Sequence, residues 1–307
     1  MKNQLLIYAI FFLVQNSYSQ VLLDFKEFTS LTTTSSIKLK GKVKSLKEFN
    51  CQVIDNITQK INNDCNPVKI YEFDSELRVT SIITPSINNN AFVYSKLGAE
   101  QTLYDISRNS QLYKISYIFN SFGLVNKKTV HNSDGVRNSI NKFDKRNNLI
   151  EIVEYDNHNK ISTMLKIGYN KFDNPIKITT INSKNVITSE FLSTYLDNRL
   201  VKSTSLQPTL EGNNRLEYFF SYDDKANLIT QETFGGKDGL LISKTNKKYD
   251  NFGNEIEVIV TYENNSGEEV INRSEYTYVY DEYNNWVQVT IKSGNSVNIK
   301  SRLIEYR

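Results

Sequence analysis

The chain is short of the residues that most chemistry is built from. Its 307 residues include two Cys, two His, two Met, one Trp, four Pro and twelve Gly. Two Cys cannot make a disulfide-dense scaffold, and so little Gly and Pro excludes a collagen-like or low-complexity chain. His131 stands beside Asn132, and His158 lies between two Asn. These polar settings give no support for a catalytic triad, and the sequence holds no His-Glu-x-x-His, phosphate loop or Gly-x-Ser-x-Gly. Charge of one sign is lacking too. Lys and Arg number 37 against 34 Asp and Glu, a formal net charge of +3, which leaves no clustered cation excess for nucleic acid. After the first residues no apolar run approaches the roughly eighteen residues of a membrane helix.

Lys2 precedes an apolar run from Leu5 to Val14, and Ser17 and Ser19 then occupy the small-residue positions that a signal peptidase reads. We therefore expect a signal peptide over residues 1–19, an exported chain beginning at Gln20, and no stable membrane insertion after cleavage. Residues 20–36 read as a linker, and residues 37–307 as one domain. In an oxidising compartment Cys51 and Cys65 would close a loop of about 15 residues, stabilising by about 3 kcal/mol in the chain-entropy model. The alternative is a pair of free buried thiols. No His lies near them to complete a metal site.

Tyr and Phe are plentiful, at nineteen and sixteen, and their placement is periodic. An aromatic followed by a short polar turn and an apolar residue recurs, led by Phe73, Tyr94, Phe119, Phe143, Tyr169, Tyr195, Tyr222, Tyr249 and Tyr280. Successive leaders are 21, 25, 24, 26, 26, 27, 27 and 31 residues apart. Between the turns apolar and polar residues alternate, as in Leu216, Tyr218, Phe220 and Tyr222, the mark of half-buried strands. Nine hairpin units make about eighteen strands, a ribbon on the order of 85 Å wide at about 4.8 Å per strand. A sheet that wide must curl. The fold expected is all-β, a long curved antiparallel meander of half-pipe or solenoid character.

At these turns the sequence resembles the Rhs or YD-repeat family, whose unit centres on a Tyr-Asp pair, a Gly-Asn turn and a following apolar residue. Tyr249-Asp250-Asn251-Phe252-Gly253-Asn254 carries the resemblance best, and Tyr222-Asp223 and Tyr280-Asp281 share the dipeptide. The likeness covers roughly residues 69–290. Leu39 to Ser45 and Ile304 to Arg307 look like the two ends of short secreted proteins of this kind. The resemblance implies a β-strand shell, and with it carbohydrate binding by some repeats. The large toxin-enclosing members carry an Asp-Pro-containing cleavage core. Here the prolines are Pro67, Pro85, Pro175 and Pro208, none preceded by Asp, so toxin delivery does not transfer.

Three residue sets are candidates for function. The Asp after the aromatic (Asp74, Asp144, Asp223, Asp250, Asp281) can hold an Asx turn, with Gly253 and Asn254 completing the best-formed one; repeated carboxylates could instead ligate Ca²⁺. Free replacement by Asn, at Asn120 and Asn170, favours the turn. Tyr222, Tyr249 and Tyr280 could stack on sugar rings or form a cross-strand ladder. Lys38, Lys40, Lys42 and Lys44 alternate with other residues, so a strand would bring all four to one face, to guard an edge or to hold an anionic polysaccharide. The reading is an exported, non-enzymatic binding or scaffold module without a cofactor, its partner a glycan or another envelope component and its oligomeric state open. The alternatives are a polysaccharide hydrolase or lyase using carboxylates and Tyr, and a structural accessory of a secreted machine.

Overall fold

The computed structural model describes residues 39–55, 60–61, 66–84, 88–95, 98–105, 110–209, 212–235, 239–264 and 266–307. The leader, the linker, Lys38, Cys65 and the Cys51 side chain lie outside the described residues, and with them the expected disulfide. Every regular element described is a strand. The first are β1 Val43–Asp55, β2 Lys60–Ile61, β3 Asn66–Phe73, β4 Val79–Thr84, β5 Asn88–Ser95, β6 Gly98–Asp105 and β7 Ser110–Phe119. Then come β8 Val125–Asn132, β9 Gly135–Phe143, β10 Leu149–Tyr155, β11 Ile161–Tyr169, β12 Pro175–Asn182, β13 Ile187–Leu196 and β14 Arg199–Thr209. The series ends with β15 Gly212–Tyr222, β16 Leu228–Gly235, β17 Leu240–Tyr249, β18 Glu255–Glu263, β19 Glu269–Tyr280, β20 Trp286–Ser293 and β21 Ser296–Tyr306.

From β3 onward each strand pairs antiparallel with the next in the chain. β1 pairs with β3 on one side and with β21 on the other. Leu46, for instance, stands opposite both Tyr71 and Ile304. The meander thus curls beyond a half-pipe and meets itself, leaving only the two-residue β2 as an outlying partner of β1.

One local device shapes most of the hairpins. Among the described residues ten turns begin with Asp or Asn, at positions 74, 120, 144, 156, 170, 182, 223, 250, 264 and 281. In each, the main chain of the first residue bonds to the residues three and four further on. The side-chain oxygen accepts the N–H of the residue four on, and in nine of the ten also that of the residue two on, at 2.8–3.1 Å. The fourth residue lies in the left-handed region with φ of 59–79°. Gly123, Gly253 and Gly267 take that conformation freely, whereas Leu77 and Ala226 take it at a cost. Where an aromatic leads the turn it pairs six residues on, as Tyr222 with Leu228 and Tyr249 with Glu255, and a register shift sits beside it. A bulge at the root of so many hairpins adds twist and bend, which drives the sheet round.

The closing junction repeats this geometry across a break in the chain. Tyr306 pairs with Val43 with a register shift before Ser45. Arg307 N–H donates to the Lys42 carbonyl at 2.9 Å, as Asp250 N–H donates to the Asn254 carbonyl. Gly41, with φ +85°, stands where Gly253 stands with φ +79°, and a Cβ there would meet the Tyr306 ring at 3.0 Å. The two ends described therefore form one further hairpin, split between them. Leu39, Val43, Leu46, Tyr71, Phe73 and Val79 bury themselves around it, and Val43 and Leu46 are fully inaccessible.

Neighbouring hairpins are fastened by tyrosine. The pairing of β10 with β11 stops at Glu151, two residues short of Leu149, and the Tyr169 hydroxyl donates to the Leu149 carbonyl at 2.8 Å. Tyr195, Tyr222, Tyr249 and Tyr278 do the same for the carbonyls of Pro175, Leu200, Leu228 and Glu255 at 2.8–3.0 Å. Each hydroxyl replaces a ladder bond where adjacent hairpins part, which satisfies a carbonyl that would otherwise be orphaned.

Two predictions follow from these two devices. Ala226→Gly relieves a left-handed alanine and should raise stability by about 1 kcal/mol, read from the urea midpoint at unchanged slope; a lower midpoint refutes it. Burial pushes Tyr169, Tyr195, Tyr249 and Tyr278 up to about 12, whereas an unfolded phenol ionises near 10. Their contribution is complete below about pH 10 and is lost as pH rises through about 12. Alkaline titration followed by phenolate absorbance should show these tyrosines ionising together with loss of the β-sheet circular dichroism signal.

Candidate functional site

Tyr195, Tyr222 and Tyr249, three of the aromatics that lead the turns, share one face of the sheet, and that face is concave. A cavity of about 840 Å³ is lined by residues from β12 to β19, and strands that far apart meet around one space only on the inside of the curve. Period-two alternation puts Phe191, Tyr195, Tyr218, Phe220, Tyr222, Tyr249 and Tyr278 there. The cavity lies toward the turn end, where the hairpins part, and Asn174, Asn198, Asn227 and Asn254 rim it. Because the hydroxyls of Tyr195, Tyr222, Tyr249 and Tyr278 are committed to main-chain carbonyls, these side chains offer ring surface rather than free donors.

Two charged residues line the cavity. Glu255 is bound by the Lys247 ammonium at 2.5 Å. Arg199, at the start of β14, reaches the Asp223 carbonyl at 3.3 Å and has no ion-pair partner among the described residues. Gln231 is the amide nearest mid-strand on the lining.

The opposite, convex face is laced with ion pairs. Lys142 meets Glu151, Lys177 meets Glu190, Lys202 and Arg215 share Glu217, Lys244 meets Glu232, and Lys248 and Arg273 share Glu257, at 2.5–2.8 Å. Hydrogen bonds from Lys248 and Arg273 hold Glu257 below the ordinary carboxylate range, and the same cause acts on Glu217 and Glu190.

The residues singled out by sequence fall in different places. Tyr222 and Tyr249 line the cavity. Tyr280 instead donates to the Asp250 carboxylate, accepts from Asn254 at 2.7 Å and packs on Phe252 with ring centres 4.6 Å apart. Asp74, Asp144, Asp223, Asp250 and Asp281 all spend a side-chain oxygen on turn N–H groups, the Asx-turn arrangement. Partial burial would raise the Asp250 carboxyl, but bonds from Tyr280, Asn254 and Phe252 outweigh it and hold it low. Among the described residues no group of three or more His, Cys, Asp or Glu could hold a metal ion. Lys40, Lys42 and Lys44 do not share a strand face. β1 begins only at Val43, Gly41 bends the chain between Lys40 and Lys42, and Lys44 pairs with Glu305 at 2.7 Å on the exposed side. Nor is there an edge for them to guard, since residues 45–50 of β1 are paired on both sides.

Sequence reasoning missed the network at the junction. The Arg302 guanidinium, 12% exposed, donates to Glu48 through Nε and Nη2 at 3.1 and 2.8 Å and lies 3.6 Å over the Trp286 ring. Burial pulls Arg302 below its ordinary value, against the pull of Glu48. Asn285, 3% exposed, accepts the Lys40 N–H at 2.7 Å and donates to the Lys40 carbonyl at 2.9 Å. A lone Glu, Arg or Asn in an alternating strand gives no sign of such a role. Glu48→Ala should lower stability by about 3 kcal/mol by leaving a buried guanidinium unpaired, and adding Arg302→Leu should recover most of the loss. Denaturant unfolding of the single and double variants checks this; equal losses in both would refute it.

No family model matches the sequence, and no curated protein matches it. Among solved structures the chain is similar to a porin-like protein from Bacteroides uniformis, at 12% identity over 91% of this chain and all of that one, with a TM-score of 0.37. A porin-like protein from Bacteroides vulgatus gives 9% identity over 87% and 99%, with a TM-score of 0.35. A chain of the TcdB2-TccC3-Cdc42 structure gives 11% identity over 75% of this chain and 16% of that one, with a TM-score of 0.30. At these values the likeness reaches no further than an all-β build.

Proposed function

We propose that the chain is an exported, non-enzymatic binding module, built from YD-like hairpin repeats, that takes a carbohydrate or related cell-envelope component into its aromatic cavity. The observation that carries the reading is the cavity itself. Its volume of about 840 Å³ is that of a small-molecule site, and it offers ring faces with a few amides, the combination that suits a sugar's apolar face and its hydroxyl rim. The repeat reading draws support from Tyr222-Asp223, Tyr249-Asp250 and Tyr280-Asp281, which all lead the same turn. Export is supported by the leader-like N-terminus, and the ion-paired convex wall argues against a sheet that faces lipid. A lipid-facing wall would place each Lys or Arg near the bilayer midplane at a cost of about 2–4 kcal/mol, whereas ion pairs suit a wall in water.

The hydrolase reading has less to draw on. Glycoside hydrolysis uses two carboxyl groups flanking the bond, and Glu255 is the single carboxylate among the lining residues, already bound to Lys247. A lyase needs a tyrosine that gives up its proton, whereas burial keeps Tyr195, Tyr249 and Tyr278 up at about 12.

The test is to apply the purified chain to a glycan array and assay each retained glycan for depolymerisation. The expected result is retention without cleavage, weakened on the order of tenfold by Phe220→Ala in the cavity and unchanged by Lys44→Ala on the convex side. Cleavage would hand the protein to the hydrolase reading. Absence of retention would overturn the glycan reading in favour of a protein partner or a structural role.

A further inference from the structure

We infer that the cavity selects acidic oligosaccharides, with Arg199 receiving the carboxylate of a uronic acid. This rests on the reading of the cavity as a sugar site and adds the class of sugar. The argument is one of charge complementarity. Of the two charged groups on the lining, Glu255 is neutralised by Lys247. Among the described residues Arg199 hydrogen-bonds to the Asp223 main-chain carbonyl, through Nη1, which leaves most of its five N–H donors uncommitted. A half-buried guanidinium beside aromatic walls is a geometry-specific receptor for a carboxylate, which it can grip with two parallel hydrogen bonds. With Glu255 cancelled, the cavity carries a net positive charge at Arg199. A neutral sugar would leave that charge unanswered.

The platform beside Arg199 suits a chain of sugars. Tyr195, Tyr222 and Tyr249 stand at the ends of β13, β15 and β17, on every second strand. At about 4.8 Å per strand their rings recur about every 9.6 Å, a spacing on the scale of a disaccharide. The Arg199 backbone lies four residues after Tyr195 and, through its bond to Asp223, the side chain spans toward the turn that follows Tyr222. It therefore sits between the first two rings. An oligosaccharide laid across the rings would pass the guanidinium with one residue, and Gln231 lies on the same lining to meet a hydroxyl.

The probes are trigalacturonate and its carboxyl-reduced counterpart, trigalactose, titrated calorimetrically into the full chain at low and at physiological salt. The acidic trimer should bind on the order of tenfold tighter, the ratio expected of a charge-assisted contact, and added salt should weaken it alone. Arg199→Gln should bring the two trimers to within about twofold of each other by weakening the binding of trigalacturonate. Arg199→Lys, which keeps the charge without the fork, should restore part of the preference; it stands in for the Gln variant should thermal unfolding show that variant to be misfolded. Equal binding of the two trimers by the wild type, or a preference that survives the loss of Arg199, overturns this inference and leaves the sugar site standing. Failure of the wild type to bind either trimer likewise overturns this inference, and retention on the glycan array then decides by itself whether the sugar site stands.

Discussion

The oxygen of a short side chain, placed to accept two backbone N–H groups, is the contact on which this molecule depends. Most strands are long, polar on one face and incapable of burying much by themselves. What makes them a sheet of fixed curvature is that the chain reverses tightly, with the same handed turn and the same bulge, at Asp or Asn after Asp or Asn. Take the oxygen away and the turn has two unsatisfied donors and no reason to prefer its left-handed fourth residue. The bulge then loses its place, the aromatic before it loses its face, and the cavity loses its wall.

Much of this was legible in the residues. Alternation named the strands, and the aromatic followed by Asp or Asn named the turns at one end. The turns that begin at Asp156, Asn182 and Asn264 are wired in the same way, yet they lay outside the series of periodic leaders: Tyr155 precedes Asp156 out of step with the period, and Asn182 and Asn264 follow Ile181 and Glu263. Closure was invisible for a different reason. Pairing between Val43 and Tyr306 is a contact across the whole chain, and nothing local in Leu39-Lys40-Gly41-Lys42 says that its glycine stands in for Gly253. The alternating lysines misled because period two was read without asking where the strand begins. The cavity was half legible. Tyr222 and Tyr249 were picked out by their period, whereas Arg199 and Glu255 are single charges whose meaning comes only from the curvature that gathers them.

The tyrosines carry two duties that constrain one another. Their hydroxyls close the gaps where hairpins separate, so their rings cannot swing away, and the same fixation turns ring faces toward the cavity. A side chain held at its tip loses little freedom when a ligand lands on its face. Mechanical fastening and binding surface thus come from the same side chains, and burial raises the phenols' pKa so that they stay donors at any ordinary pH.

Linear arrays of repeated units are weakest at their ends, where the last unit has a neighbour on one side only and usually needs a polar cap. Here the hairpin assembled from Tyr306, Arg307 and the residues around Gly41 takes the place a cap would hold, so among the described residues each hairpin unit of the ring has a partner on both sides. An opening at any one interface must therefore create two raw edges at once, whereas a linear stack can fray from its end one unit at a time. Loss of structure in such a ring is a collective event, and the cavity, walled by several consecutive units, persists or vanishes with the whole.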